Sequence, residues 1–196
     1  MKKLLISAFE PFGGEEINPA EEAVKRLEGE GIYKLILPVE YETAGRLLIA
    51  EIGRVKPDRV IMVGQAGGRD AVTPERRAVN ERNAKAPDNA GRVCLSEKII
   101  EGGPGELSAT LDPALLAEAI LKEGIPARVS ESAGTFVCND VFYLALEHLK
   151  GSPVRADFIH LPWCLEQEPR HPGQFCLPVE TMVRALSTAV KAAAEE

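Results

Sequence analysis

Four large apolar residues in a row, Val60-Ile61-Met62-Val63, run directly into Gly64-Gln65-Ala66-Gly67-Gly68-Arg69. A strand with one solvated face would alternate apolar and polar residues. An unbroken run belongs instead to a parallel strand covered by helices on both sides. The glycines after it lie at that strand's carboxyl end, the edge at which open α/β sheets bind their ligands.

The other segments agree with such a sheet. Residues 4–8 and 33–39 read as two further strands. Asn18-Pro19 and Asp112-Pro113 each open a helix, with an N-capping side chain and a proline at the first helical position. Ala44, Leu48, Ile52 and Val55 mark a helix stopped by Pro57, and Val179, Met182, Val183, Leu186, Ala189 and Val190 mark a last one. Residues 71–81 look extended and charged. Residues 84–105 read as a loop whose length points either to function or to ordering by another part of the chain. Strands alternating with helices predict an α/β fold, three-layer α/β/α with a mostly parallel twisted sheet.

At 196 residues the chain suits one domain, 1–196, with no repeat, linker or low-complexity segment. A net charge of −7 argues against nucleic acid or an anionic membrane as partner. No run reaches the ~18 apolar residues of a membrane span. The N-terminus superficially resembles a secretory signal, but its apolar run is too short and passes straight into Phe9-Glu10-Pro11-Phe12-Gly13-Gly14. Cys94, Cys138, Cys164 and Cys176 form no Cys-x-x-Cys pair, and there are three histidines. The expectation is a reduced, cytoplasmic protein without a zinc site or a disulfide framework.

Ser132-Ala133-Gly134 precede a helical pattern of Val137, Val141, Leu144, Ala145 and Leu149 that opens near Cys138. A thiol at a helix start faces unpaired N–H groups and the positive end of the dipole. That setting lowers a thiol pKa from ~8.5 towards ~3.5–7.5. Most cysteines are simply buried structural residues. A small-residue turn, a helix start and a histidine downstream together favour a nucleophile. Its base is sought among three histidines. His148 falls at a helix end, His171 in a loop expected to be solvent-exposed, and His160 at the close of the strand 156–162. For His160 the bland alternative is a half-buried ring satisfied by backbone. A carboxylate must orient the imidazole, and Glu75, Glu81 and Asp88 all remain open.

Several dispersed motifs carry a resemblance over most of the length. They are Phe9-Glu10-Pro11-Phe12-Gly13-Gly14 with Asn18-Pro19, Gly64 followed by Glu75-Arg76 and Ala78-Val79-Asn80, and Pro87-Asp88-Asn89. Ser130 to Asn139 and Phe158-Ile159-His160-Leu161-Pro162 complete the set. The chain resembles the pyroglutamyl peptidase I (pyrrolidone carboxyl peptidase) family, Cys–His–Glu peptidases that remove N-terminal 5-oxoproline. The resemblance implies Cys138 as nucleophile, His160 as base and then acid, and Glu75 as the orienting carboxylate. It implies Phe9 and Phe12 as walls of an apolar pocket for the lactam ring. Gln65 would either hydrogen-bond the lactam amide or tie down its own loop. Substrates would be N-terminally pyroglutamylated peptides, with no metal or organic cofactor, and the assembly a homo-oligomer, tetramer or dimer. Two residues depart from the family pattern: Arg77 replaces an aliphatic residue, and Lys85 replaces an Arg near the site. The rival expectation is a non-catalytic nucleotide- or phosphate-binding protein that cradles an anion in its glycine loops, with Cys138 structural, but the spacing fits neither Gly-x-Gly-x-x-Gly nor a P-loop.

Overall fold

The computed structural model describes residues 2–196. Strand β1 (Leu4–Phe9) leads into helix α1 (Pro19–Arg26), followed by β2 (Ile32–Leu37), α2 (Thr43–Val55) and β3 (Arg59–Gln65). Short strands come next: β4 (Thr73–Pro74), β5 (Arg77–Val79), β6 (Arg82–Ala84), β7 (Cys94–Glu97) and β8 (Glu106–Ser108). The chain continues through α3 (Pro113–Lys122), α4 (Val137–His148), β9 (Arg155–Leu161) and β10 (Trp163–Cys164). A 3-10 turn (Leu165–Arg170), β11 (Cys176–Leu177) and α5 (Val179–Glu195) complete it.

The central sheet has the order β2-β1-β3-β9-β4, parallel except for β4, which runs antiparallel to β9. Both β1 and β3 are buried along their whole length, as the unbroken apolar run in β3 requires. Alternate side chains feed two cores. Leu4, Ile6, Ile61 and Ile159 pack under α1, α3 and α5, against Val24, Leu116, Ile120, Met182 and Leu186. Leu5, Val60, Met62 and Phe158 pack under α2 and α4, against Leu48, Ile52, Val141 and Phe142. The architecture is α/β/α in three layers.

Both predicted N-caps form. Asn18 Oδ1 accepts from the Ala20 N–H at 3.0 Å and Asp112 Oδ1 from the Ala114 N–H at 2.9 Å. The stretch 84–105 is more ordered than its composition suggests, since β7 pairs with β6. Asp88 accepts from the N–H groups of Tyr41, Ala90 and Arg92. Asn80 Oδ1 accepts from those of Ile99 and Ile100, both at 2.9 Å. Two buried side chains thus replace the ladder that a loop lacks. Among the described residues no helix is long and apolar enough to cross a membrane.

Candidate active site

Gly64, near the end of β3, is the contact on which the site is built. A Cβ there would fall 2.9 Å from Cys138 Sγ and 2.9 Å from the Phe158 ring, so only glycine lets the start of α4 settle on the sheet edge. Asn139 pins the same turn: its Oδ1 accepts from the Val79 N–H, and its amide donates to the Val79 and Glu81 carbonyls at 2.9–3.0 Å. In the parallel register of β3 and β9, Gly64 lies opposite His160. Register and helix placement therefore bring Cys138 and His160 to the same edge, where both line a cleft of about 560 Å³.

Strand β4 decides which of the candidate carboxylates lies beside His160. Thr73 pairs with His160 on β9, and the Glu75 N–H donates to the Phe158 carbonyl at 2.8 Å. Glu75 is fully buried, with Oε1 2.7 Å from His160 Nδ1. That oxygen also accepts from Arg69 Nη1 at 2.6 Å. An oxygen accepting from a guanidinium is an acceptor toward the imidazole too, so Nδ1 carries the proton and Nε2 keeps its lone pair. Glu81 instead accepts from Asn83, and Asp88 holds its own loop.

Burial lowers the His160 pKa below its ordinary value, against the Glu75 hydrogen bond, which raises it. Burial, followed by the Glu75 charge, pushes the Cys138 thiol up to about 12, against Arg69 and the residue's own N–H. This reverses the expectation of a lowered thiol. The helix start is present, but a helix terminus contributes at most ~2 kcal/mol, little more than one pKa unit. Desolvation of a half-buried sulfur beside a carboxylate outweighs it. Both shifts favour the uncharged forms, a thiol and a neutral imidazole.

Arg69 was not singled out by sequence, although it closes the glycine-rich loop at a strand's carboxyl edge. Its guanidinium holds Glu75, Thr73 Oγ1 and the Ser132 carbonyl and lines the cleft. Phe12 also lines the cleft and packs on Phe136, ring centroids 6.0 Å apart. Phe9 does not: only 2 % exposed, it sits in the α2/α4 core against Phe158, and the second phenylalanine in the cleft lining is Phe136. Gln65 lines the cleft while its Oε1 accepts from Gln167 Nε2 at 3.0 Å, tying the 3-10 turn to β3. His148 is exposed at the end of α4. His171 departs from its expected exposure: it lies in the cleft wall, stacked on Trp163 and bonded to Glu15. Lys85 is exposed and outside the cleft lining, and Arg77 pairs at the surface with Glu106.

The family model described as pyroglutamyl peptidase matches residues 2–196. The pyrrolidone-carboxylate peptidase of Erwinia tasmaniensis is 47% identical over 195 residues, covering 97% of this chain and 92% of the relative. The crystal structure of pyroglutamyl peptidase I from Bacillus amyloliquefaciens superposes with a TM-score of 0.96 at 40% identity, covering 100% of this chain and 96% of that one. The pyrrolidone carboxyl peptidase of Thermococcus litoralis gives a TM-score of 0.93 at 35% identity, covering 100% and 94%. With a match along its whole described length, and a cysteine, a histidine and a buried carboxylate at one sheet edge, the chain belongs to the pyroglutamyl peptidase family of cysteine peptidases.

Proposed function

We propose that Cys138, His160 and Glu75 are the catalytic triad with which this peptidase hydrolyses the amide bond after an N-terminal pyroglutamyl residue. The observation that carries this is the buried 2.7 Å bond from His160 Nδ1 to Glu75, which fixes the tautomer and leaves Nε2 for the cleft shared with Cys138. As Sγ attacks the substrate carbonyl, Nε2 accepts the thiol proton. The oxyanion meets N–H groups of the first turn of α4, Cys138's own among them, which have no intrahelical partner. Collapse of the tetrahedral species breaks the C–N bond, and His160 protonates the leaving amine. Water, activated by the same imidazole, then hydrolyses the thioester and frees pyroglutamate.

Phe12 and Phe136 offer the lactam a flat apolar wall, and Gln65 a polar group beside it. A pyroglutamyl ring is uncharged, whereas a prolyl ring carries a protonated amine whose burial without a partner costs several kcal/mol. Proline also lacks the lactam carbonyl, and a donor left unsatisfied costs roughly 1–3 kcal/mol more. Turnover of a pyroglutamyl amide should exceed that of the prolyl amide by about 10³-fold or more in kcat/KM. Equal rates on the two would reject the pocket assignment.

Arg69 acts on the triad through Glu75 and through its charge, which lowers the pKa of both Cys138 and His160. Arg69→Met should lower kcat/KM by roughly 10–100-fold and move the acid limb of its pH profile upward, because His160 then protonates more readily. Arg69→Lys should restore the position of that limb better than the rate, having a charge but no planar fork. An acid limb unmoved in Arg69→Met would reduce Arg69 to a packing role.

A further inference from the structure

We propose that the stacked pair Trp163–His171 is the subsite for the residue after pyroglutamate and that it selects a flat aromatic side chain there. The proposal rests on the triad assigned above. The two rings are parallel within 9° with centroids 3.7 Å apart, and both line the cleft that holds Cys138 and His160. Neither ring is needed for the chemistry, yet both are fixed. Trp163 lies against Gly67 so closely that a Cβ there would come within 2.0 Å of Cζ2. His171 Nε2 is 3.0 Å from Glu15 Oε1, and Glu15 Oε2 in turn accepts from Gln167 Nε2 at 3.0 Å. The imidazole nonetheless remains 25 % exposed.

The reaction itself says which end of the substrate this pair meets. His160 gives its proton to the leaving amine, so the residue bearing that amine lies on the imidazole side of the scissile bond. Trp163 belongs to the same stretch of chain as His160, following it by three residues where β9 passes into β10, and both line the cleft. The acyl group lies on the sulfur side, where Phe136, two residues before Cys138, meets Phe12. Among the described residues no ring pair joins Phe12 or Phe136 to Trp163 or His171, so the two aromatic groups are separate walls. A cleft of about 560 Å³ has room for more than one five-membered ring. An aromatic side chain gains about 0.5–1.5 kcal/mol from ring–ring geometry beyond its burial. A platform already immobilised by Gly67 and Glu15 gives up little entropy on binding.

The test compares pyroglutamyl-phenylalanine amide with pyroglutamyl-alanine amide in the wild type, Trp163→Ala, His171→Ala and His171→Phe. The ratio of kcat/KM values within each protein cancels any general loss of activity. We expect the wild type to favour phenylalanine by about tenfold, corresponding to ~1.4 kcal/mol. Trp163→Ala and His171→Ala should bring the ratio close to one. His171→Phe should retain the preference, because it keeps a flat ring while losing the bond to Glu15. A wild-type ratio near one would overturn the proposal. So would a ratio unchanged in His171→Ala, or one lost in His171→Phe, which would mark the Glu15 bond and not the stacked face as the determinant. Failure of the triad assignment would show separately, as hydrolysis of the alanine amide by Cys138→Ala.

Discussion

Cys138→Ala and His160→Ala are each expected to lower kcat/KM for a pyroglutamyl amide by on the order of 10⁴–10⁶-fold while leaving the far-UV circular dichroism native. Each removes a group that exchanges a bond or a proton with substrate. Glu75→Gln keeps the shape and loses the charge. Because it disturbs the tautomer of His160 without deleting a reacting group, its loss should be smaller, on the order of 10²–10⁴-fold. The pH profile carries a further consequence. Burial holds His160 neutral below its ordinary pKa, so the acid limb of kcat/KM should lie below the pH ~6.5 of a free imidazole. The thiol is pushed up to about 12, so the profile should stay flat well past neutrality. Alkylation of the resting enzyme by iodoacetamide should follow the same acid limb, since His160 must take the thiol proton as the sulfur reacts. A thiolate absorbance persisting at pH 5, with alkylation at full rate there, would show a preformed ion pair and contradict the neutral resting state.

How far the sequence reached is decided by the range of the interaction involved. The buried run in β3, the Asn18 and Asp112 caps and the start of α4 at Cys138 are set by neighbours within a few residues, and they were legible. His160 at the close of β9 was legible as well, because a histidine ending an apolar strand is a local signal. The choice of Glu75 over Glu81 and Asp88 was not, except through family resemblance. It depends on a two-residue strand, β4, pairing antiparallel with β9 some 85 positions away. Strand order was closed to sequence for the same reason. Arg69 was hidden because a cation after glycines reads equally well as an anion cradle or a solvated loop end. Phe9 failed in the opposite direction: it ends β1 facing inward, and the parity of a strand's last residue decides between core and cleft. The upward shift of the Cys138 thiol could not be foreseen from a helix start alone, because its causes, desolvation and the Glu75 charge, come from tertiary packing.

The other face of β9 carries a group that the mechanism does not use, and removing it should make the protein markedly more stable. Asp157, beside Ile61 of β3, is fully buried on the face of β9 that carries Ile159 and Leu161, opposite to that of His160. Its Oδ1 accepts from the Phe158 N–H at 2.7 Å, but Oδ2 is buried with no partner. Burial, reinforced by the charges of Glu75, Asp112 and Glu196, raises its pKa well above the ordinary value, so it stays protonated where an unfolded chain would be ionised. The sign follows from linkage. Below pH ~3.9 both states hold the proton; above it the unfolded chain releases the proton and the folded one does not. Stability therefore falls by about 1.4 kcal/mol per pH unit from pH ~4 until the folded pKa is passed. Asp157→Asn removes that ionisation at constant shape. Its advantage over the wild type should widen across this window, by roughly 3–6 °C in Tm per pH unit for a chain of this size. Asp157→Val also removes the unpartnered polar atom, adding about 1–3 kcal/mol that does not depend on pH. Both variants should keep their activity, because the substituted side chain faces away from the cleft. Thermal unfolding at pH 4 through 8 decides the matter: a gap between wild type and Asp157→Asn that stays constant with pH would mean that Asp157 ionises within the fold as easily as outside it.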